Sequence, residues 1–199
     1  MTRTGKLTIV AFGSSTTVGE GASARELAYP ARLEKLLAAA LPGVTVTVVN
    51  RGRGGEDAEH NLARLQSDVI AVQPDLVIWQ VGANAAMAGH DPGPFHDRLI
   101  KGIAAMHAAG SDVVIMDNQR SPSVLAGKNW RAIEAAQAEA ARTGKAGLFR
   151  RGALMDGWAA AGVPYGAFIH RDGVHHNDRG YDCLARALST AIVAGLEAR

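Results

Sequence analysis

The stretch LTIVAFGSSTTVGEG, residues 7–21, decides the fold class. It opens with a continuous apolar and β-branched run, Leu7–Phe12, and then breaks into small residues that include the adjacent serines Ser14 and Ser15. An apolar run without alternation is typical of a strand covered on both faces, as in a parallel sheet between helices. The glycine and serines that follow it indicate a turn. The chain therefore begins with a buried strand, and its two serines either shape a turn or supply a reactive hydroxyl.

The same strand pattern recurs along the chain and alternates with helical stretches. Further strands are predicted at 44–50, 76–82 and 112–117, with a shorter one that includes Leu148 and Phe149. Helices are predicted at 30–41, 58–69, 95–110, 129–144, 151–162 and 178–197. Alternation of this kind indicates a parallel sheet with right-handed crossovers and helices on both sides. Without an internal repeat or a linker, residues 1–199 are expected to form a single domain.

Composition excludes several classes of protein. With 199 residues, 47% hydrophobic and 20% charged, the chain has the composition of an ordinary globular domain. A formal net charge of +2, with scattered lysines and arginines, does not indicate a nucleic-acid partner. No apolar run approaches the roughly 18 residues of a membrane span, and the first apolar run is too short for a signal peptide, so a cytoplasmic location is expected. The single cysteine, Cys183, excludes an internal disulfide and a thiolate metal cluster.

The loops that follow the predicted strands are the places to look for function, because ligands of such sheets bind beyond the carboxyl ends of the strands. These loops, 13–21, 50–57, 81–95 and 117–123, are rich in glycine, serine, asparagine and charged residues. The first is not a phosphate loop, since Glu20 follows Gly19 where that motif needs a lysine. The second lacks the third glycine of a dinucleotide fingerprint. A nucleotide site is therefore not indicated.

A serine nucleophile would need a base, a carboxylate that orients the base, and donors for the developing oxyanion. Near the C-terminus, Asp172 stands three residues before His175, a spacing at which a local turn can bring the carboxylate to the imidazole. Oxyanion donors are available in the backbone N–H of Ser15, in the backbone N–H of Gly54 or Gly55, and in the side-chain amide of Asn84. These residues occur in the loops that a parallel sheet would bring to one edge.

At this point the sequence resembles the SGNH, or GDSL-type, hydrolases in four blocks that run in the same order. Gly13-Ser14-Ser15 matches the first block and implies Ser15 as the nucleophile. The second block is matched within 50–65, where the register with the following helix favours Gly55 over Gly54 as an oxyanion donor. Gly82-Ala83-Asn84-Ala85 matches the third and implies that the Asn84 amide is a further donor. Asp172-Gly173-Val174-His175 matches the last and implies His175 as the base, oriented by Asp172.

Two positions depart from the family pattern. Ser14 stands where the family usually has aspartate, and Ala85 stands where an aspartate often follows the oxyanion asparagine. Neither position carries the chemistry of the family, so the implied mechanism is retained. Both changes remove a carboxylate that would hold the loops, so the first loop must be made rigid in another way.

The resemblance implies an α/β fold, a three-layer α/β/α sandwich with a flavodoxin-like five-stranded parallel sheet. It also implies a serine hydrolase that cleaves acyl esters through an acyl-Ser15 intermediate, without a metal or another cofactor. The small side chains of the loops, and the absence of a long apolar insertion, favour short-chain esters such as acetyl esters of sugars or small alcohols. A small-molecule or saccharide ester is therefore the expected partner, with neither nucleic acid nor membrane, and the oligomeric state is left open.

Two alternatives remain at the level of the sequence. A metal-dependent hydrolase could use the histidines His170, His175 and His176, because imidazole suits zinc and similar ions. A non-catalytic binding domain of the same fold would explain the two departures from the motif. Arg120, at the end of the fourth predicted strand, could contact a polar substrate or lie solvated at the rim of the site.

Overall fold

The structure is a computed structural model, and it describes residues 5–197. Five parallel strands form one sheet in the order β2-β1-β3-β4-β5, which is the flavodoxin-like order. The strands are β1 Lys6–Gly13, β2 Thr45–Gly52, β3 Leu76–Gln80, β4 Asp112–Met116 and β5 Gly147–Phe149. The predicted parallel sheet of an α/β fold is confirmed, including the short fifth strand.

Helices surround the sheet, and their bounds follow most of the predicted stretches. They are α1 Ser15–Val18, α2 Tyr29–Ala40, α3 Ala58–Ala63, α4 Leu65–Asp68, α5 Ala83–Ala88, α6 Pro92–Ala108, α7 Pro122–Leu125, α8 Trp130–Gly144, α9 Arg151–Ala160 and α10 Asp178–Glu197. Short 3₁₀ turns occupy Arg25–Leu27, Ile70–Val72 and Tyr165–Ala167.

Apolar side chains on the two faces of the sheet form two separate cores. On one face, Ile9 and Ile78 pack with Leu33 of α2 and Leu184 of α10. On the other face, Trp79 packs in a larger cluster to which α6 and α8 contribute. Because each face carries its own layer of helices, the predicted three-layer α/β/α sandwich is confirmed.

The register of the strands brings the loops of the candidate site together. Gly13, the last residue of β1, pairs with Gly52 at the end of β2 and with Gln80 at the end of β3. The loops after these strands therefore leave the sheet side by side. This is also where the strand order reverses, since β2 lies on one side of β1 and β3 on the other.

The local structure differs from the prediction in several places, since the short helix α1 lies in the predicted loop 13–21 and α7 begins in the predicted loop 117–123, and two further differences bear on the site. The stretch 81–95 was expected to be a loop, but it contains α5 and the first residues of α6. Four of the six residues of α5 are alanine, the strongest helix former, and Gly82 enters the helix with φ 115°. The predicted helix 58–69 is divided at Arg64, whose guanidinium turns inward to the carbonyl oxygens of Gly13 and Arg51.

Two further features bear on the sequence-based expectations. Within residues 5–197, no helix has the length and hydrophobicity that crossing a membrane would require. Cys183 on α10 is a free cysteine and is partly exposed.

Candidate active site

Ser15, His175 and Asp172 form a continuous hydrogen-bonded line at the carboxyl end of the sheet. The Nε2 atom of His175 lies 2.8 Å from Ser15 Oγ, although the two residues are 160 positions apart in the sequence. The other ring nitrogen, Nδ1, lies 2.8 Å from Asp172 Oδ2. Ser15 is the first residue of α1, so its position is set by the end of β1. The structure thus brings together the three residues that the motif selected.

The Asp172 carboxylate is held in its ionised form. Its Oδ1 atom accepts hydrogen bonds from the backbone N–H groups of Val174 at 2.8 Å and His175 at 3.0 Å. Partial burial works to raise the pKa of Asp172, but the hydrogen bonds from the side chain and backbone of His175 and from Val174 outweigh it. The pKa of this carboxyl is therefore well below its usual range. A carboxylate that stays charged can hold the Nδ1–H tautomer of His175 and leave Nε2 free to accept a proton.

The hairpin that carries His175 is fixed from several sides. The backbone N–H of His170 donates to the carbonyl oxygen of His175 at 2.8 Å, and the Gln119 amide donates to the carbonyl oxygen of Val174 at 3.0 Å. Gly21 packs on the same hairpin, because a Cβ atom there would lie 2.5 Å from the His176 carbonyl oxygen and 3.0 Å from His175 Cβ. The sequence alone did not indicate Gln119 or Gly21, since each acts through a contact distant in the chain.

The predicted oxyanion residues lie in neighbouring segments that follow β2 and β3. The side-chain amide of Asn84, in the first turn of α5, donates to the carbonyl oxygen of Glu56 at 2.7 Å. Glu56 directly follows Gly55, which has φ 78°, and a Cβ atom added to Gly55 would meet no neighbouring atom within 4 Å. Gly54 is equally open. Asn84 and the glycine loop are therefore joined by a hydrogen bond, at the edge of the sheet where Ser15 also lies.

Ser14 and Ser15 have different surroundings. Ser14 is buried, and both its backbone N–H and its hydroxyl donate to Gln80 Oε1 at 3.1 Å. The Thr17 hydroxyl donates to the same oxygen at 3.2 Å. Gln80, at the end of β3, thus accepts hydrogen bonds from Ser14 and Thr17 at the start of α1. These bonds hold the loop in which the family usually has an aspartate. In the sequence, this role of Gln80 is indicated only by the presence of a polar residue within the apolar run LVIWQVG.

Ala85 lies fully buried in the larger apolar cluster. A carboxylate at this position would be desolvated there, so alanine agrees with its surroundings.

His176 does not join the other two histidines of the metal hypothesis. His176 is fully buried, and its Nδ1 atom lies 3.2 Å from the carbonyl oxygen of Phe168. Burial, assisted by the nearby Arg151 guanidinium, lowers the pKa of His176 to about 3. Its ring therefore points into the core as a neutral imidazole, away from the hydroxyl that His175 contacts. Among residues 5–197 there is no group of three or more His, Cys, Asp or Glu side chains suited to hold a metal ion.

Arg120 is neither a solvated rim charge nor a free contact for a substrate. It is buried, and its guanidinium pairs with Asp156 at 3.0 Å and with Glu134 at 3.0 Å. The hydroxyl of Tyr165 donates to Asp156 at 2.7 Å. The expectation of a solvated rim charge was wrong, because the sequence does not show that two carboxylates, from α8 and α9, meet Arg120.

Comparisons with known proteins agree with the fold and with the family resemblance. The model of the Non-GDSL lipase-like family matches residues 1–198. An arylesterase from Vibrio mimicus is 32% identical over 101 residues, a match that covers 48% of this chain and 50% of the arylesterase. The match to this curated relative therefore spans about half of its length.

Solved structures show the same fold at lower identity. The crystal structure of TesA superposes with a TM-score of 0.77 at 23% identity, over 91% of this chain and 95% of that chain. The acetylxylan esterase Axe2 from Geobacillus stearothermophilus superposes with a TM-score of 0.76 at 20% identity, over 92% of both chains. The resemblance to SGNH-type hydrolases is thereby confirmed, and the chain belongs to the Non-GDSL lipase-like family.

Proposed function

We propose that the protein is a carboxylic-ester hydrolase that forms an acyl-enzyme on Ser15. The observation that carries this proposal is the pair of 2.8 Å contacts that join Ser15 Oγ to His175 Nε2 and His175 Nδ1 to Asp172 Oδ2. A serine hydroxyl is neutral at pH 7 and needs such a base to become a nucleophile. The match to an arylesterase supports the same class of reaction.

In the first half of the reaction, Ser15 Oγ attacks the ester carbonyl while His175 Nε2 takes its proton. The carbonyl π electrons move to oxygen and form a tetrahedral oxyanion. When the C–O bond to the alcohol breaks, the leaving oxygen takes the proton from His175 and departs as the alcohol. In the second half, His175 removes a proton from water, the hydroxide attacks the acyl-Ser15, and Ser15 regains its proton as the acid leaves. Asp172 stabilises the imidazolium in both halves.

The oxyanion is assigned to the backbone N–H groups of Ser15 and Gly55 and to the amide of Asn84. The Asn84 amide has two hydrogens, of which one is engaged by the Glu56 carbonyl oxygen. The second is available for the oxyanion, and the Glu56 contact fixes its direction. Loss of one such donor typically lowers the rate by about 10²-fold or more.

The substrates that fit this proposal are esters of short acyl chains with small alcohols or saccharides. The loop after β2 carries two exposed glycines, Gly54 and Gly55, which leave room beside it. Axe2, which has the same fold, is an acetylxylan esterase. Neither a metal nor another cofactor takes part in the proposed steps, because the nucleophile, the base and the oxyanion donors are all supplied by the chain.

Hydrolysis of p-nitrophenyl acetate by the wild type and matched serine variants tests the proposal. Ser15→Ala should abolish activity, whereas Ser14→Ala should retain most of it, because the backbone N–H of residue 14 still reaches Gln80. Activity should be indifferent to a metal chelator. Full activity in Ser15→Ala would falsify the proposal, and a wild type inactive on a panel of esters and unlabelled by a serine-reactive phosphonate would favour a non-catalytic binding domain.

A further inference from the structure

A second imidazole touches the carboxylate of Asp172. The Nδ1 atom of His170 lies 3.0 Å from Asp172 Oδ2, the same oxygen that lies 2.8 Å from Nδ1 of His175. The family motif covers Asp172 and His175 but assigns nothing to position 170. His170 precedes Asp172 by two residues. It lies before the turn of the small hairpin, whereas His175 lies after it.

The hydrogen on His170 can be assigned from the charge that it faces. Nδ1 lies 3.0 Å from the ionised Oδ2 atom of Asp172, and the backbone N–H of Asp172 is directed at the same ring nitrogen at 3.4 Å, a contact in which Nδ1 would accept. A lone pair directed at a carboxylate oxygen at this distance would be repelled, while an N–H there makes a charge-assisted hydrogen bond. Because the contact with the carboxylate is the shorter of the two, we place the hydrogen on His170 Nδ1, which then donates to Asp172 Oδ2.

With this donor, both oxygens of Asp172 are doubly engaged. Oδ1 accepts from the backbone N–H groups of Val174 and His175, and Oδ2 lies within hydrogen-bonding distance of the His175 ring at 2.8 Å and of the His170 ring at 3.0 Å. We propose that His170 is a positioning residue that fixes the orientation of the Asp172 carboxylate and limits its pull on the His175 proton. This proposal rests on the proposed function, because it concerns the same proton relay.

The backbone holds the two imidazoles in their relation to each other. The His170 N–H donates to the His175 carbonyl oxygen at 2.8 Å, and the Gly173 N–H donates to the His170 carbonyl oxygen at 3.0 Å. The antiparallel bridge between Ile169 and His176 closes the hairpin. Gly21 packs against the Cβ atoms of both histidines, since a Cβ added to it would lie 3.0 Å from His175 Cβ and 3.1 Å from His170 Cβ. Neither ring can shift along the hairpin without disturbing the other.

Other titratable groups near this relay stay neutral in the working range of pH. His176 and Tyr181 interact electrostatically with His175 and Asp172 respectively. Burial, assisted by Arg151, lowers the pKa of His176 to about 3. Burial also raises the pKa of Tyr181 far above its usual value. Ser15 is the group facing His175 from α1, and Arg171 is a constant positive charge beside His170. A change in the pH profile on substitution of His170 would therefore report on the Asp172–His175 pair.

Two substitutions separate the hydrogen bond from the size of the side chain. His170→Leu removes the donor and retains bulk, whereas the side-chain amide of His170→Asn can place a donor close to the position of Nδ1. We expect His170→Leu to lower kcat by about tenfold with little change in KM, which corresponds to one hydrogen bond to a charged group. His170→Asn should retain kcat within about twofold.

The pH profile distinguishes positioning from a general effect on folding. Without the second donor, Asp172 stabilises the imidazolium of His175 more strongly, so the acid limb of kcat/KM should move to higher pH by about half a unit in His170→Leu. The limb should stay at its wild-type place in His170→Asn. An unmoved limb in His170→Leu, or a loss in His170→Asn equal to that in His170→Leu, would overturn the proposal.

Nitrogen NMR of the free protein makes the result independent of turnover. The midpoint of the His175 ring titration is compared between the wild type, His170→Leu and His170→Asn, with no substrate present. A midpoint that moves up only in His170→Leu supports the role of His170 even where the wild type hydrolyses no ester, an outcome that would count against the proposed function alone. Identical midpoints in all three proteins would contradict it.

Discussion

Two Asp-x-x-His segments in this molecule make the same kinds of local hydrogen bonds, and only one of them meets a serine. In the first, Asp57 Oδ1 accepts from the backbone N–H groups of Glu59 at 3.0 Å and His60 at 3.1 Å, and it lies 2.8 Å from His60 Nδ1. In the second, Asp172 makes the corresponding contacts with Val174 and His175. At this spacing the carboxylate thus reaches the imidazole in both places, although the first segment begins α3 and the second has Gly173 at φ 73°.

The surroundings of the two imidazoles differ. The side chain of His60 is 67% exposed, whereas that of His175 is 17% exposed and its Nε2 contacts Ser15 Oγ. Asp57 serves as the N-cap of α3, at the rim of the site. A carboxylate and a histidine at this spacing therefore form a unit readily, but it becomes a candidate for catalysis only where the fold brings a nucleophile to its free nitrogen.

Removal of the imidazole should give the largest difference in kcat/KM between the two segments. His175→Ala should lower kcat/KM by roughly 10³-fold or more, because Ser15 then has no base. His60→Ala should change kcat/KM by less than about twofold, since exposed substitutions away from the chemistry rarely matter. Steady-state hydrolysis of p-nitrophenyl acetate measures both. Equal losses in the two variants would contradict the assignment of the base.

Replacement of the carboxylates gives the next largest contrast. Asp172→Asn should lower kcat by about 10²- to 10⁴-fold, because a neutral amide no longer selects the Nδ1–H tautomer or stabilises the imidazolium. Asp57→Asn should leave kcat nearly unchanged, and since asparagine is as good an N-cap as aspartate, it should also leave the melting temperature nearly unchanged. Kinetics and thermal unfolding of both variants check this. A fall in kcat in Asp57→Asn to the level of Asp172→Asn would sink the distinction.

A smaller effect is expected from the glycine that supports only the second segment. Gly21 and Gly43 share φ 85°, but a Cβ at Gly21 meets the histidine hairpin, while a Cβ at Gly43 meets no atom within 4 Å. Alanine at Gly43 should cost about 1 kcal/mol of stability, because the left-handed conformation disfavours a side chain, and alanine at Gly21 should cost more, because its Cβ would also lie 2.5 Å from the His176 carbonyl oxygen. Only Gly21→Ala should also lower kcat, by about tenfold, since a shift of the hairpin misplaces His175. Chemical denaturation and kinetics of the pair separate strain from displacement, and equal kcat values would show that the hairpin does not need this contact.

The smallest effect is on the free energy of unfolding, and it concerns His176, the neighbour of His175. Burial lowers the pKa of His176 to about 3, so between its unfolded pKa of about 6.5 and about 3 the unfolded chain binds more protons than the folded one. Stability should therefore fall as pH falls through this window, by on the order of 1 kcal/mol per pH unit from this group. His176→Phe removes this contribution, and the carbonyl oxygen of Phe168 keeps the Asn177 N–H as a donor.

Urea denaturation at several pH values between about 4 and 7 measures the contribution of His176. The unfolding free energy of the variant should depend less steeply on pH than that of the wild type. Parallel curves for the two proteins would mean that His176 does not account for the acid sensitivity.

The sequence predicted the sheet and the core of the site for identifiable reasons. Unbroken apolar runs mark buried strands, and the ends of parallel strands share one edge, so Ser15, Gly55 and Asn84 were expected together. The Asp172-x-x-His175 turn is local, and its geometry follows from its spacing. These features depend on neighbours in the chain or on the regular pairing of strands.

Other features depend on contacts between distant segments, which a single sequence does not reveal. Gln80 holds the Ser14 loop from the next strand, Gly21 supports the histidine hairpin, and Arg120 is buried by two carboxylates from separate helices. The helix at 83–88 was missed because Asn84 and its flanking glycines indicated a loop, while the alanines between them favour a helix.

Covalent trapping of the acyl-enzyme tests the central claim most directly. The protein is mixed with a short-chain p-nitrophenyl ester, quenched in acid within the first turnovers, and digested for mass spectrometry, with Asp172→Asn included to slow deacylation. The account predicts one acyl group, on Ser15, that is absent in Ser15→Ala and present in Ser14→Ala. An acyl group on another residue, or steady turnover by Ser15→Ala, would contradict it.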